Sequence, residues 1–297
     1  MRKHGRFTIP IQADFMEETK ELIHRWGADA VRNSDGTELT ESVDALRPAK
    51  IYAAYFVARG YNEFARSHPA ERQRIFLMSA RHTAVGAQLS FPIMEGYFES
   101  QLEPDYDWDP EHNWEVRDRT QGTVLSGEYV DIDRTAGTVT IQKTVPGHVY
   151  TLSFPAFINW DPTQMYNYIT NNWQGRERDI PFDVHGEVSW AFMKTALSHW
   201  LAQNPHVDVV RFTTFFYHFT LVYDNCRREK YVDWLGYGGA VSPAALIGFE
   251  KEYGYKLGPE DFVDEGYYNN SFRPPRRQYL DYMEYIQKYV SERAGKL

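Results

Sequence analysis

Three segments of the chain hold residues whose types and spacing could do chemistry. Arg32-Asn33-Ser34-Asp35-Gly36 places a guanidinium, an amide and a carboxylate just past a short apolar run. Arginine's planar fork suits bidentate contact with a phosphate or with vicinal hydroxyls. The same five residues are also good turn formers, so an ordinary turn is the competing reading. Asn159-Trp160-Asp161-Pro162-Thr163-Gln164-Met165-Tyr166-Asn167-Tyr168 combines aromatic rings with amides and a carboxylate. Rings of this kind stack on the apolar face of a sugar while the polar groups meet its hydroxyls. Alternatively, Asp161-Pro162 starts a helix whose Met165 and Tyr168 pack inward. In Arg211-Phe212-Thr213-Thr214-Phe215-Phe216-Tyr217-His218-Phe219 a cation leads a strongly apolar run. Desolvating an unpaired guanidinium costs several kcal/mol. Arg211 therefore calls for an anionic ligand, a structural partner such as Asp233, or an exposed strand end. His218, alone among aromatics, reads as a core histidine.

Other signatures fail on inspection. Asp105, Asp107 and Asp109 have the odd spacing of a calcium loop, but Pro110 and Val116 stand where glycine and glutamate are needed. Gly236-Tyr237-Gly238-Gly239 lacks the third glycine of a dinucleotide loop. The chain has no P-loop, no Gly-x-Ser-x-Gly elbow and no metal-binding histidine pair at helical spacing.

The elements that must position these residues are legible in part. Asp14 is the expected N-cap of a helix with Phe15, Thr19, Leu22, Ile23 and Trp26 on one face, ended by Gly27. Residues 28–32 read as a strand, and so do 51–57, 72–78, 148–159 and 207–212. Helices are expected near 186–201 and 275–296, the latter burying Tyr279, Met283, Ile286 and Val290. Period-two alternation over 114–143, with a turn at Asp133-Arg134-Thr135-Ala136-Gly137, predicts an antiparallel β insertion. Strands alternating with helices give an α/β class with a parallel sheet, and a (β/α)8 TIM barrel is the leading architecture. Only four to six βα units are visible, so the expectation is one domain over 1–297 that forms the amino-terminal part of such a barrel, incomplete at its C-terminal end.

Composition narrows the ligand. The 297 residues carry a net charge of -9, which argues against a broad phosphate-backbone grip on nucleic acid. No stretch approaches the roughly 20 apolar residues of a membrane span. The single cysteine, Cys226, suits a reducing compartment, so a cytoplasmic protein binding a small polar molecule is expected.

The chain resembles the 1,3-beta-galactosyl-N-acetylhexosamine phosphorylases, also called galacto-N-biose/lacto-N-biose phosphorylases. The resemblance is carried by Gly5-Arg6-Phe7-Thr8, Trp26-Gly27-Ala28-Asp29-Ala30, Arg32-Asn33-Ser34-Asp35-Gly36-Thr37, Trp160-Asp161-Pro162, Met165-Tyr166-Asn167, Asp208 to Tyr217, Arg227-Arg228-Glu229-Lys230 and Pro259 to Asp264. Such agreement, in order along the whole chain, is too dense for chance. It implies a (β/α)8 catalytic domain of an inverting hexosyltransferase, with inorganic phosphate as co-substrate, no cofactor and a possible homodimer. It implies sugar- and phosphate-side binding roles for Asn167 and Arg211. Arg32, Asn33 and Asp35 would line the same mouth, and Thr163 would stand beside the acceptor pocket, favouring an N-acetylgalactosamine acceptor. The family's general acid belongs to a Gly-Asp-Gln-Trp-like segment that these 297 residues do not contain. It is therefore expected beyond Leu297, and no catalytic residue is assigned within the chain. An inactive truncated fragment, a galactosyl-rhamnose phosphorylase and a galactosidase on the same scaffold are the alternatives.

Overall fold

The structure is a computed structural model that describes residues 7–11, 13–33, 41–97, 99–159, 175–183, 185–212, 240–263 and 276–297. Its sheet nearest the predicted site is parallel and has four strands: β1 (Thr8–Ile11), β2 (Ala30–Asn33), β3 (Lys50–Tyr55) and, returning much later in sequence, β13 (Val209–Phe212), in the spatial order β1-β2-β3-β13. Ile9, Ile11, Val31 and Ile51 are buried on one face. Met16, Leu22 and Ile23 of helix α1 (Met16–Trp26) pack against that group. Such apolar contact, about 25 cal/mol per Å² removed from water, is what fixes a helix to a sheet.

Helix α1 ends at Gly27, whose left-handed φ of 64° lets its N–H reach the Ile23 carbonyl. Its start differs from expectation. The N-cap is Phe15 with no side-chain cap, and Asp14 belongs to a preceding 3₁₀ turn, Ala13–Phe15. The buried stripe is correspondingly rotated towards Met16, Thr19, Leu22 and Ile23, leaving Phe15 and Trp26 exposed.

Between β3 and β13 the chain builds antiparallel layers. Helix α2 (Asn62–Ser67) leads to β4 (Arg74–Met78), followed by β5 (His82–Thr83), β6 (Gln88–Pro92), β7 (Leu102–Pro104), the one-turn helix α3 (Pro110–Asn113), β8 (Glu115–Asp118), β9 (Thr123–Val124), β10 (Val130–Asp133), β11 (Thr138–Gln142) and β12 (Val149–Ile158). β12 is the hub, antiparallel to β4, β5, β7 and β8, while β10-β11-β6 forms a separate three-stranded sheet. The β10–β11 turn falls at Asp133–Gly137, where Asp133 Oδ1 accepts from the N–H groups of Thr135 and Ala136 and Gly137 has φ 65°. The expectation that 72–78 and 148–159 join the parallel sheet is corrected. β4 and β12 are buried along most of their length, and a strand covered on both faces shows the unbroken apolar run usual in parallel sheets.

Among the described residues three longer helices follow: α4 (Glu187–Gln203), α5 (Pro243–Tyr253) and α6 (Arg277–Ala294), with a two-residue strand β14 (Ala240–Val241) on the edge of β4. On α6, Tyr279, Met283, Ile286 and Val290 are buried as their spacing predicts. The last described residue, Leu297, follows this helix and is exposed. α4 is capped from outside: Glu71 Oε2 accepts from the backbone N–H of Ser189 at 3.1 Å and from the Ser189 hydroxyl. A Cβ added at the N-cap Gly186 would overlap that carboxylate. Gly186→Ala should therefore displace the cap and lower stability by about 1 kcal/mol, read as a reduced Tm, and Glu71→Gln, whose amide keeps an acceptor, should lose less.

At the N-terminal end of the parallel sheet, Asp208 joins β3 to β13: its Oδ2 accepts from the Ile51 N–H at 2.8 Å and from Arg47 Nη1 at 2.6 Å. The Ile51 bond, assisted by Arg47, holds the carboxyl below its ordinary value. A carboxyl with a depressed folded-state pKa contributes stability that is complete above the ordinary value of about 3.9 and is lost as pH falls through the depressed one. Asp208→Asn should cost about 1–2 kcal/mol near neutral pH. In thermal melts, the gap between parent and variant should close below about pH 4.

Candidate anion-binding site

The strand register puts Arg32 and Arg211 on one face of the parallel sheet. Arg32 pairs with Tyr52 of β3, Tyr52 pairs with Val209 of β13, and Arg211 lies two residues beyond Val209, opposite Ala54. Side chains alternate along a strand and paired residues share a face. Arg32, Tyr52, Ala54 and Arg211 therefore lie opposite the face that packs against α1. They are also the accessible side: Arg32, Tyr52 and Ala54 are partly exposed and Arg211 is exposed. The two arginines stand two strand spacings apart, about 10 Å across the sheet, which two long guanidinium side chains can bridge. Both lie towards the carboxyl ends of their strands, the end where parallel α/β sheets bind ligands.

Their electrostatics reflect the proximity. Arg211 is held below the ordinary arginine value, first by partial desolvation and then by the positive charge of Arg32. Among the described residues no carboxylate contributes to that shift. Arg32 makes a long contact of 3.5 Å from Nη1 to the Asn33 carbonyl. Among the described residues neither guanidinium has an ion pair. Since arginine stays charged at neutral pH, two cations without an ion pair among the described residues concentrate positive potential on one face, a potential that an anion with several oxygens would relieve.

Asn33 lies across the strand from Arg32. It is 8% exposed and its Oδ1 accepts from the Ala54 N–H at 2.7 Å. Asp35, Thr163 and Asn167 lie outside the described residues, as do Asp233 and His218. Of the six predicted binding residues the structure describes three: it brings Arg32 and Arg211 to one face and, against the expectation that Asn33 lines the same mouth, turns the buried Asn33 to the opposite face, because consecutive strand residues alternate.

Two neighbouring features gave little sign of themselves in the sequence. The connection after β3 is tied down by Asp179, whose Oδ1 accepts from the Gly60 N–H at 2.9 Å. Burial pushes the Asp179 carboxyl above its ordinary value, against the pull of Arg59 and Arg176. In the same connection Arg59 sits 3.5 Å over the ring of Phe56. The second feature is Arg72, just before β4. It bonds Asn159 Oδ1 at the far end of β12 and lies 4.2 Å over the Phe157 ring. Asn159, the first residue of the second predicted segment, borders a cavity of about 500 Å³ whose wall includes Glu95, Glu99, Glu103 and Tyr106. The rejected calcium triplet is accounted for by packing. Asp105 forms a buried pair with Arg74 at 2.5 Å, and no potential metal-binding cluster occurs among the described residues.

Residues 5–297 match the family model of the lacto-N-biose phosphorylase N-terminal TIM barrel domain. The chain belongs to this family. Its fold is accordingly that of an α/β TIM-barrel domain, with β1, β2, β3 and β13 as parallel staves. Among its relatives, the 1,3-beta-galactosyl-N-acetylhexosamine phosphorylase of Bifidobacterium longum subsp. longum is 46% identical over 100% of this chain and 39% of its own length. A protein of the same name from Lachnoclostridium phytofermentans is 42% identical over 99% of the chain and 40% of its own length. From the same organism, D-galactosyl-beta-1->4-L-rhamnose phosphorylase is 35% identical over 99% of the chain and 41% of its own length. The chain thus spans about 40% of the length of these relatives. No helix among the described residues is long and apolar enough to cross a membrane.

Because Arg211 is exposed and repelled by Arg32, Arg211→Ala should leave the Tm unchanged or slightly raised. In the parent, inorganic phosphate at 100 times its Kd would add about 2.7 kcal/mol of stability. Thermal melts with and without phosphate should show that gain sharply reduced in Arg211→Ala.

Proposed function

We propose that the protein carrying this chain catalyses phosphorolysis of beta-1,3-galactosyl-N-acetylhexosamine disaccharides, releasing alpha-galactose 1-phosphate and the N-acetylhexosamine. The observation that carries the reading is the pair Arg32 and Arg211, two cations on one accessible face near the strand ends, with the charge of Arg32 opposing that of Arg211. The names of the relatives at 46% and 42% identity support the same substrate class.

The chemistry follows from what phosphate already is. A phosphate oxygen attacks the galactosyl anomeric carbon from the face opposite the glycosidic oxygen. The C–O bond to the acceptor breaks with inversion, and a general acid protonates the departing oxygen. A hydrolase working by inversion needs a second carboxylate to activate water, whereas orthophosphate is itself anionic and nucleophilic. What it needs is to be held, with its charge balanced, against the anomeric carbon. Arg32 and Arg211 supply that charge. Asn167 would bind on the sugar side, Asp35 would face the same mouth, and Thr163 would offer its hydroxyl to the acceptor. The general acid is assigned to no residue of this chain and would come from sequence after Leu297. A hexosamine acceptor is favoured over rhamnose because identity drops to 35% for the relative named for rhamnose. A cytoplasmic location, a homodimer and a reaction that uses no cofactor complete the reading.

The test uses the protein with its full reading frame, galacto-N-biose and inorganic phosphate, followed by phosphorus NMR. Alpha-galactose 1-phosphate should accumulate in step with N-acetylgalactosamine and only when phosphate is supplied. Release of free galactose at the same rate without phosphate would make the protein a hydrolase and overturn the assignment. With the disaccharide saturating, Arg211→Ala should raise the phosphate KM by about tenfold or more, the loss of one charge-assisted contact.

A further inference from the structure

Backbone pairing between β2 and β3 ends at Arg32 and Tyr52. One residue further along β2, the side chain of Asn33 continues the seam, its Oδ1 taking the Ala54 N–H at 2.7 Å. The N–H of Ala54 therefore points towards β2, and the carboxamide stands where the next strand carbonyl would have stood. Ala54 is also the residue opposite Arg211 in the pairing of β3 with β13. On its other side, Asn33 is paired with Ile11 of β1. One buried amide thus ties the tip of β3 to β2 at the level where the arginines are carried by the strands on either side.

We propose that Asn33 is a positioning residue of the anion site: it fixes the separation of Arg32 and Arg211 by locking the end of the strand between them, and it acts through those two guanidiniums. The inference rests on the phosphorolysis reading and adds a determinant of phosphate affinity to it. The residue type fits the task. A carboxamide oxygen accepts from a backbone N–H without bringing a charge into a field of two cations, and Asn33 is buried enough that the tie excludes water. Without it, among the described strands only β13 is paired with the backbone of the last two residues of β3. Arg211 can then drift outward with β13, widening the gap that a single phosphate must span. A shift on the order of 1 Å is enough to cost a preorganised site much of its advantage.

The experiment measures phosphate KM, disaccharide KM, kcat and Tm for the full-frame protein and for Asn33→Ala, Asn33→Asp, Arg211→Ala and the double variant Asn33→Ala/Arg211→Ala. Asn33→Ala is expected to raise the phosphate KM about tenfold, with the disaccharide KM unchanged. Because Asn33 works through Arg211, the double variant should bind phosphate no worse than Arg211→Ala alone, a non-additive cycle. Asn33→Asp keeps the acceptor for Ala54 but buries a charge, so it should lower the Tm while still raising the phosphate KM less than Asn33→Ala does. Should Asn33→Ala not fold, the Asp variant decides alone, with a rise within about threefold expected. The proposal is overturned by an unchanged phosphate KM in Asn33→Ala, by losses that add in the double variant, or by Asn33→Asp being the worst of the set, which would mark a direct contact with phosphate. A parent protein that turns over without phosphate removes the underlying reading itself, an outcome visible before any variant is made.

Discussion

Two like charges held on one open face of a sheet are the constraint on which the functional reading depends. Arg32 and Arg211 repel each other, and no carboxylate among the described residues separates them. A fold tolerates such a pair because the strands that carry it are fixed by unrelated forces. Ile9, Ile11, Val31 and Ile51 are locked against α1 on the opposite face, and Asp208 ties β3 to β13 at the far end of the sheet. Apolar burial and one well-bonded carboxylate thus maintain an arrangement that electrostatics alone would undo. On the proposed reading the repulsion favours a ligand, because an anion that bridges the guanidiniums removes an unfavourable term as well as adding favourable ones.

The antiparallel part of the molecule serves a different end. β12 gathers four partners and carries the chain to Asn159, at the threshold of the second segment singled out in the sequence. Arg72 holds that threshold through Asn159 and through the ring of Phe157. The proposed phosphate-side arginines stand on a parallel sheet, and the chain leaves an antiparallel one as it enters the segment proposed for the acceptor.

Local signals were legible where a residue's role depends on near neighbours. Gly27, the Asp133–Gly137 turn and the buried stripe of α6 all follow from spacing and turn chemistry. Asp14 was misleading because the choice between Asp14 and Phe15 as N-cap is settled by a 3₁₀ turn of three residues, too small to leave a periodicity. The direction of β12 could not be read, since burial on both faces erases the alternation that distinguishes antiparallel strands. For the site, residue type identified Arg32 and Arg211 and suggested an anion, but their shared face depends on the pairing of β3 with β13. Asp179, Arg72 and the double duty of Ala54 belong to the same class: each is defined by a partner distant in sequence. The tie from Asn33 to Ala54 spans 21 positions, and nothing in either residue type announces it.

The pairing of β3 with β13 also has a kinetic side. Asp208 and Ile51 are separated by 157 positions, so the seam that brings Arg211 beside Arg32 closes a very long loop. Bringing distant ends together costs chain entropy that only the finished contact repays, and topologies rich in such contacts assemble slowly. Among the described strands the β8–β9 and β10–β11 hairpins are local in sequence and can form first, whereas β12 reaches β4, β5, β7 and β8 across longer spans; as these pairs form they shorten the effective span. Until they do, β3 presents an unsatisfied edge, and the nascent chain is most exposed to pairing with the wrong strand during that interval.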